Sequence, residues 1–237
     1  MVKSLSMKNN LDNKTFIFIS LNKFKIVVLD NLNKIIYEKI SIVNNQDNYL
    51  NLNFLDEFLS QNVFEIEKLL KEYIENVFLI IDLNDIFQVH LSIKKNTDNT
   101  DSNYINNLLT EAKNLCEKTL KHTNILHIKI DQFCIDNINY KILPNIKDHK
   151  NFSIDLSFIC LPVHIYKDLE KIFIKYRISI SNSLSLKYLD SFENKKNNNI
   201  YNIALKVLDG LNENEVIILK KNPKNIGFFE KFFNFFN

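Results

Sequence analysis

Thr15-Phe-Ile-Phe-Ile-Ser20, Lys25-Ile-Val-Val-Leu-Asp30 and Lys34-Ile-Ile-Tyr-Glu-Lys-Ile40 stand in a row, separated only by short turn segments at 21–24 and 31–33. Runs of six or seven residues rich in Ile, Val, Phe and Tyr, bounded by Asn, Asp and Ser, read as strands, and such short connections join strands antiparallel. The spacing therefore predicts a three-stranded meander. Downstream, a polar Asn-rich link at 44–53 precedes a helical stretch at 54–74, in which Phe54, Leu55, Phe58, Leu59, Ile66, Leu69, Leu70, Tyr73 and Ile74 recur at intervals of three and four. One face of that helix is expected to pack on the meander. Residues 77–81 and 87–93 read as a further pair of strands, and the polar stretch 94–103 as a loop.

A second unit follows. Asp101 or Ser102 suits the N-cap of a helix at about 103–121, with Ile105, Leu108, Leu109, Ala112, Leu115, Cys116 and Leu120 inward. A strand at 124–130 comes next. Phe152, Ile154, Leu156, Phe158 and Cys160 then alternate with Ser153, Asp155 and Ser157, the period of a strand with one buried face. Pro162 opens a helix to about Tyr176, whose inward set is Ile165, Leu169, Ile172 and Phe173, and 178–186 reads as a strand. This order implies a small α+β sheet with helices on one face. The remainder holds a short helix at 200–208 stopped by Gly210, an apolar strand at 216–219, and a basic linker with Lys220, Lys221 and Lys224.

Composition narrows the function. The 237 residues with 46% hydrophobic content support a packed core of one domain or two small ones. A net charge of +2, from 30 basic and 28 acidic residues spread along the chain, is no nucleic-acid signature, so no nucleic-acid partner is expected. The N-terminal apolar run is too brief for a signal peptide, and residues 77–93 are interrupted by Asp82 and Asp85, so no membrane span is expected. Cys116, Cys134 and Cys160 are odd in number and lack CxxC spacing, which fits reduced thiols in a cytoplasm.

No pair among His90, His122, His127, His149, His164 and the cysteines has ligand spacing, so no metal site is expected. Asp131 and Asp136, five apart on a strand, fall on opposite faces and make a poor acid–base pair; solvation is their expected role. No catalytic residue and no cofactor emerges.

The end of the chain does carry a site. On a helix, Phe228, Phe229, Phe232, Phe233, Phe235 and Phe236 fill one arc of roughly 160°, while Glu230, Lys231, Asn234 and Asn237 take the rest. That face suits a membrane interface, with Lys231 and the linker lysines drawn to anionic headgroups. A staple on the domain's own core is the competing reading, and the membrane anchor is the leading one.

The chain also resembles the first half of FtsA, the actin-like protein that tethers the bacterial division ring to the membrane. The resemblance covers residues 15 to about 192. It is carried by Glu111-Ala-Lys113 followed by Ile125-Leu-His-Ile-Lys-Ile-Asp-Gln-Phe-Cys-Ile-Asp136, similar to that family's helix and its "ILHxxPQxFxxD" strand. Further pieces are Ile142-Leu-Pro144, the strand at 153–164 with its Val163-His164, the segment 168–180, and 185–192 at the family's crossover.

The resemblance implies an α+β fold. A partial actin-like (RNase H-like) lobe would span 1–76 and 181–219, an inserted strand-helix-strand-strand domain 77–180, and a linker with membrane-binding amphipathic helix 220–237. It implies a non-enzymatic adaptor at the division site, peripheral on the cytoplasmic face of the inner membrane, with division proteins as partners and self-association open. Two departures bear on this. The family's phosphate-binding hairpin carries a glycine, whereas here the turn reads Ser20-Leu-Asn-Lys23, and Gly210 and Gly227 are the chain's glycines. Nucleotide hydrolysis is therefore not expected. The residues after 192 also look too few for a second lobe, which in that family carries the dock for the division tubulin FtsZ. Two alternatives stand: the related pilus-assembly adaptor class, which binds a cytoplasmic peptide of a membrane partner, and an ATPase completed by a second chain.

Overall fold

Phe16, Ile17, Phe18 and Ile19 are buried on both faces of their strand, so this apolar run must lie inside a sheet covered on both sides. The computed structural model describes residues 13–43, 49–96, 102–144, 151–192 and 199–216. In chain order its elements are β1 (Lys14–Ser20), β2 (Lys23–Leu29), β3 (Ile35–Ile42), α1 (Leu52–Leu70), β4 (Asn76–Asp82), β5 (Phe87–Asn96) and α2 (Ser102–Thr119). There follow β6 (Thr123–Ile135), β7 (Ile138–Tyr140), β8 (Asn151–Pro162), α3 (Val163–Lys175), β9 (Ser179–Ser185), α4 (Leu186–Asp190) and α5 (Ile200–Leu208).

Two sheets result. The first has the order β3-β2-β1-β4-β9, with the expected antiparallel meander β1–β2–β3 continued by parallel pairing of β1 with β4 and of β4 with β9. The second is antiparallel, in the order β5-β8-β6-β7. The α+β class and the small antiparallel sheet beside a larger one are as the sequence indicated.

One face of the first sheet packs Ile17, Ile19, Phe24 and Ile26 against Leu55, Leu59 and Ile66 of α1 and Leu169 and Phe173 of α3. The other packs Phe16, Phe18, Val27 and Leu29 against Tyr188 and Leu189 of α4 and Tyr201, Ala204 and Leu205 of α5. The second sheet buries Phe152, Ile154, Leu156 and Phe158 beneath Leu108, Ala112 and Cys116 of α2.

Several expectations shift. The strand expected at 77–81 does not pair with β5. Val77, Leu79, Ile80 and Ile81 are all buried, a two-sided apolar run that only the interior of the first sheet can cover, whereas β5 pairs with β8 along its whole length. The strand at 178–186 likewise belongs to the first sheet, and α3 packs there beside α1 instead of on the second sheet. Helix α1 starts two residues early, where Asn51 Oδ1 accepts the Phe54 N–H at 3.0 Å, and stops at Leu70 instead of residue 74. Lys71 takes the left-handed cap at φ 59°, and Glu67 Oε1 accepts the Ile74 N–H at 3.2 Å. β6 runs to Ile135 because two register shifts, near Leu126 and Asp131, re-aim the strand without ending it.

Among the described residues no helix is long and apolar enough to cross a membrane. Phe228, Phe229, Lys231, Phe232, Phe233, Phe235 and Phe236, with the linker from Lys220, lie outside the described residues, as do residues 217–219 of the expected last strand.

Phe173 is wholly buried where α3 meets the first sheet. Phe173→Ala is expected to destabilise by about 3–5 kcal/mol and lower Tm by on the order of 10 °C, measured by thermal unfolding at 222 nm.

Candidate functional site

The turn of the first hairpin is filled by its own chain. Ser20 Oγ donates to the Lys23 carbonyl at 3.1 Å, the Asn22 carbonyl accepts the Val43 N–H at 2.8 Å, and Lys23 Nζ sits 4.8 Å from the centre of the Phe18 ring. A phosphate cradle needs several backbone N–H groups turned toward an open concavity. Here Lys23 is already the first residue of β2, and the turn is reduced to the bend at Leu21 and Asn22.

The polar cluster that does converge lies where the two sheets meet. His127, only 3% exposed on β6, points across to β9, and its Nε2 accepts the Ser185 N–H at 3.0 Å. Nε2 being an acceptor, the ring proton sits on Nδ1, which donates to Glu215 Oε1 at 2.7 Å. The other carboxylate oxygen accepts from the Tyr188 hydroxyl at 2.7 Å, and Asn212 Nδ2 donates to that hydroxyl at 2.9 Å. The His127 and Tyr188 rings lie 4.1 Å apart. Burial raises the Tyr188 hydroxyl above its usual range; the Asn212 hydrogen bond opposes this and the Glu215 carboxylate adds to it.

The segment that carries Glu215 is tied to β6 by backbone bonds, Ile130 N–H to the Asn214 carbonyl and Val216 N–H to the Ile128 carbonyl, both at 2.8 Å. One glutamate thus joins β6, α4 and the last described segment.

Beside this cluster opens a cleft of about 680 Å³, floored by Ile125, Leu126 and Ile128 on β6 and walled by Ser181, Asn182 and Ser183 on β9. β9 is the outer strand of its sheet, and its far edge has no strand partner among the described residues. The Ser183 and Ser185 hydroxyls are buried and make no hydrogen bond among the described residues; Tyr166 lies within electrostatic reach of Ser183 without a well-aligned bond to it. Lys14, Lys113, Glu117 and Asp209 ring the mouth. An apolar floor beside the outer strand of a sheet is an arrangement that an extended peptide uses.

A second cluster holds Ser, His and Asp but not the order of a hydrolase. On the second sheet Ser157 Oγ donates to Asp131 Oδ2 and lies 3.0 Å from His90 Nδ1, while Lys129 Nζ reaches Asp131 Oδ1 at 2.8 Å. The histidine is terminal instead of lying between serine and carboxylate, and Ser157 is 1% exposed, so no substrate carbonyl reaches it. Burial opposes ionisation of Asp131, but hydrogen bonds from Lys129 and Ser157 and the charges of Lys129 and His90 outweigh it and hold the carboxyl below the ordinary range. Asp131 is therefore a structural anion, not the solvated residue expected. Asp136 lies at a turn, at φ 47°, with Oδ1 accepting the Asn151 N–H at 2.9 Å.

Cys116 and Cys160 meet in the second core, where burial and the neighbouring Cys116 push the Cys160 thiol up to about 12, far from a nucleophile's range. Among the described residues no three His, Cys, Asp or Glu groups converge on a metal position.

Sequence reasoning passed over the inter-sheet cluster. His127 was one of five unpaired histidines, and Glu215, 88 positions away, had no periodic signal linking it to β6.

No family model matches the chain, and no curated protein matches it. Among solved structures it is similar to the cytoplasmic domain of EpsL, an inner membrane component of the type II secretion system of Vibrio cholerae, at 10% identity over 73% of this chain and 55% of that one, TM-score 0.34. It is similar to the PilM–PilN type IV pilus biogenesis complex at 6% identity over 74% and 48%, TM-score 0.43. A Bacteroides thetaiotaomicron protein with actin-like ATPase fold and unknown function aligns at 12% identity over 80% and 59%, TM-score 0.34. The chain spans between 48% and 59% of those structures. None of the three is described as a division protein. At these TM-scores the likenesses carry no argument here, and the fold stands on the chain's own strand order.

His127→Ala strips a partner from the buried Ser185 N–H and from Glu215, and is expected to cost about 1–3 kcal/mol in urea unfolding, more than Tyr188→Phe. For Asp131 the sign follows from its lowered pKa: its contribution is present above the unfolded value of 3.8 and lost as pH falls through the folded value. Asp131→Asn is therefore expected to be less stable than wild type at pH 7, with the gap closing below about pH 4, read from unfolding curves across pH.

Proposed function

We propose that the chain is a non-enzymatic, actin-like adaptor that binds an extended segment of a membrane partner in the cleft between its two sheets. The observation that carries this reading is the cleft itself, in which Ser181, Asn182 and Ser183 of the outer strand β9 stand opposite an apolar floor on β6. A strand laid there gains backbone hydrogen bonds from the edge and specificity from the floor.

Of the two adaptor readings, this favours the pilus-assembly mode, in which a partner's cytoplasmic peptide is bound, over a division-site scaffold of the FtsA kind. The lobe formed by β1–β2–β3 with β4 and β9 is the actin-like part of the proposal, and the sheet of β5 to β8 its inserted part. The phenylalanine face at 228–236 and Lys231 would hold the chain peripherally at the cytoplasmic face of the membrane.

Absence of catalysis is part of the same proposal. Its support is the first hairpin, which carries no glycine and turns within Leu21 and Asn22, too tight a bend to fan several N–H groups around a phosphate.

Peptides tiling the cytoplasmic segments of the host's inner-membrane proteins test the dock. At least one apolar peptide is expected to bind with Kd on the order of 10 µM and to weaken at least about tenfold with Ser183→Trp, which fills the cleft. No binder, or a binder indifferent to Ser183→Trp, contradicts it. Millimolar Mg-ATP is expected to leave Tm unchanged; a rise of several degrees would revive the ATPase reading.

A further inference from the structure

β3 is the outer strand at the other end of the first sheet, and its far edge pairs with no strand among the described residues. Such an edge offers a row of free N–H and C=O groups, which natural proteins shorten, charge or cover. This one runs eight residues without proline, and Ile36, Ile40 and Ile42 along it are 41%, 54% and 74% exposed. Its register shift falls at Ile36, the extra residue between the pairs Val28–Tyr37 and Leu29–Ile35, and from Tyr37 to Ile42 the strand pairs regularly with β2.

The geometry points to a homodimer in which β3 pairs antiparallel with β3 of a second copy, Glu38 opposite Glu38, about a two-fold axis normal to the sheet. An axis in that direction keeps each face of the sheet on its own side. Directly opposed residues must then share parity, so only registers whose paired numbers sum to an even value are allowed. Centres on Glu38 and Lys39 each overlap seven of the eight residues, and centres on Tyr37 and Ile40 five; the last sets Glu38 against Ile42 twice.

Centred on Lys39, the pairing opposes two lysines that have no ion pair among the described residues. Centred on Tyr37, it sets Ile36 against Glu38. Centred on Glu38, it sets Ile36 against Ile40 twice, and the opposed carboxylates are already neutralised, because each is ion-paired with Lys25 of its own chain at 2.5 Å. That register leaves the middle of the contact uncharged and its flanks apolar. An isologous contact consumes both edges, so assembly stops at two copies and yields one continuous ten-stranded sheet, the doubling of the five strands in β3-β2-β1-β4-β9.

The test uses the full chain in sedimentation equilibrium up to about 200 µM, with Kd for the dimer expected on the order of 10 µM. Ile40→Lys is expected to weaken it at least about tenfold, whereas Ile40→Thr, which keeps strand preference, weakens it less; far-UV circular dichroism of both variants separates lost pairing from lost folding. Opposed residues of an antiparallel pair stand about 4.5–5.5 Å apart at Cα, within reach of a disulfide, so Glu38→Cys should cross-link on mild oxidation faster than Lys39→Cys. A wild type that stays monomeric at the highest concentration overturns the proposal. So does a dimer unaffected by Ile40→Lys, or an open series of oligomers, either of which places association on another surface.

Discussion

The hydrogen bond from the Ser185 N–H to His127 Nε2 is the contact on which the arrangement of the two sheets depends. It is the point at which the end of β9 is tied to β6, and it requires an unprotonated Nε2, which Glu215 secures by accepting the hydrogen bond of the Nδ1–H. Glu215 is in turn positioned by Tyr188 and by the backbone pairing of its own segment with β6. The energy of this network is small beside that of the three apolar cores, which supply most of the stability. Its contribution is geometric: a buried polar network whose members are satisfied specifies one arrangement, and that arrangement keeps β9 from closing against β6 along its length. The cleft is the space left over.

The two ends of the first sheet differ for reasons visible in their residues. β9 reads Ser-Ile-Ser-Asn-Ser-Leu-Ser, a polar edge with short side chains that leaves room beside it for another backbone. β3 reads Ile-Ile-Tyr-Glu-Lys-Ile-Ser-Ile, with Tyr37 turned inward to Asn62 and Glu65 of α1 and isoleucines left outside. A partner's strand suits the first edge and a like strand the second.

Much of the fold was readable because periodicity reports burial. The meander, the alternation of Phe152 to Cys160, and most of the inward faces of α1, α2 and α3 follow from local spacing, whereas Phe54, Leu69 and Tyr73 of the α1 set and Leu115 of the α2 set stand exposed. What periodicity does not report is which sheet a buried strand joins. β4 and β9 adjoin the strands of the second unit in sequence, which is why spacing alone groups them there; both instead close the first sheet, since a parallel strand finds its neighbour across a long crossover. The cluster around His127 was invisible for a related reason. Its four side chains come from positions 127, 188, 212 and 215, and nothing in the local pattern of any one of them announces the others.

The central claim concerns one proton. Nitrogen chemical shifts of the His127 ring, with two-bond couplings to its carbon-bound protons, distinguish an Nδ1–H from an Nε2–H imidazole. A single Nδ1–H tautomer that persists in wild type and gives way to exchange between tautomers in Glu215→Leu, which removes the acceptor, is the predicted result. An Nε2–H ring, or one exchanging freely between tautomers, would contradict the bond to Ser185 and with it the preformed cleft.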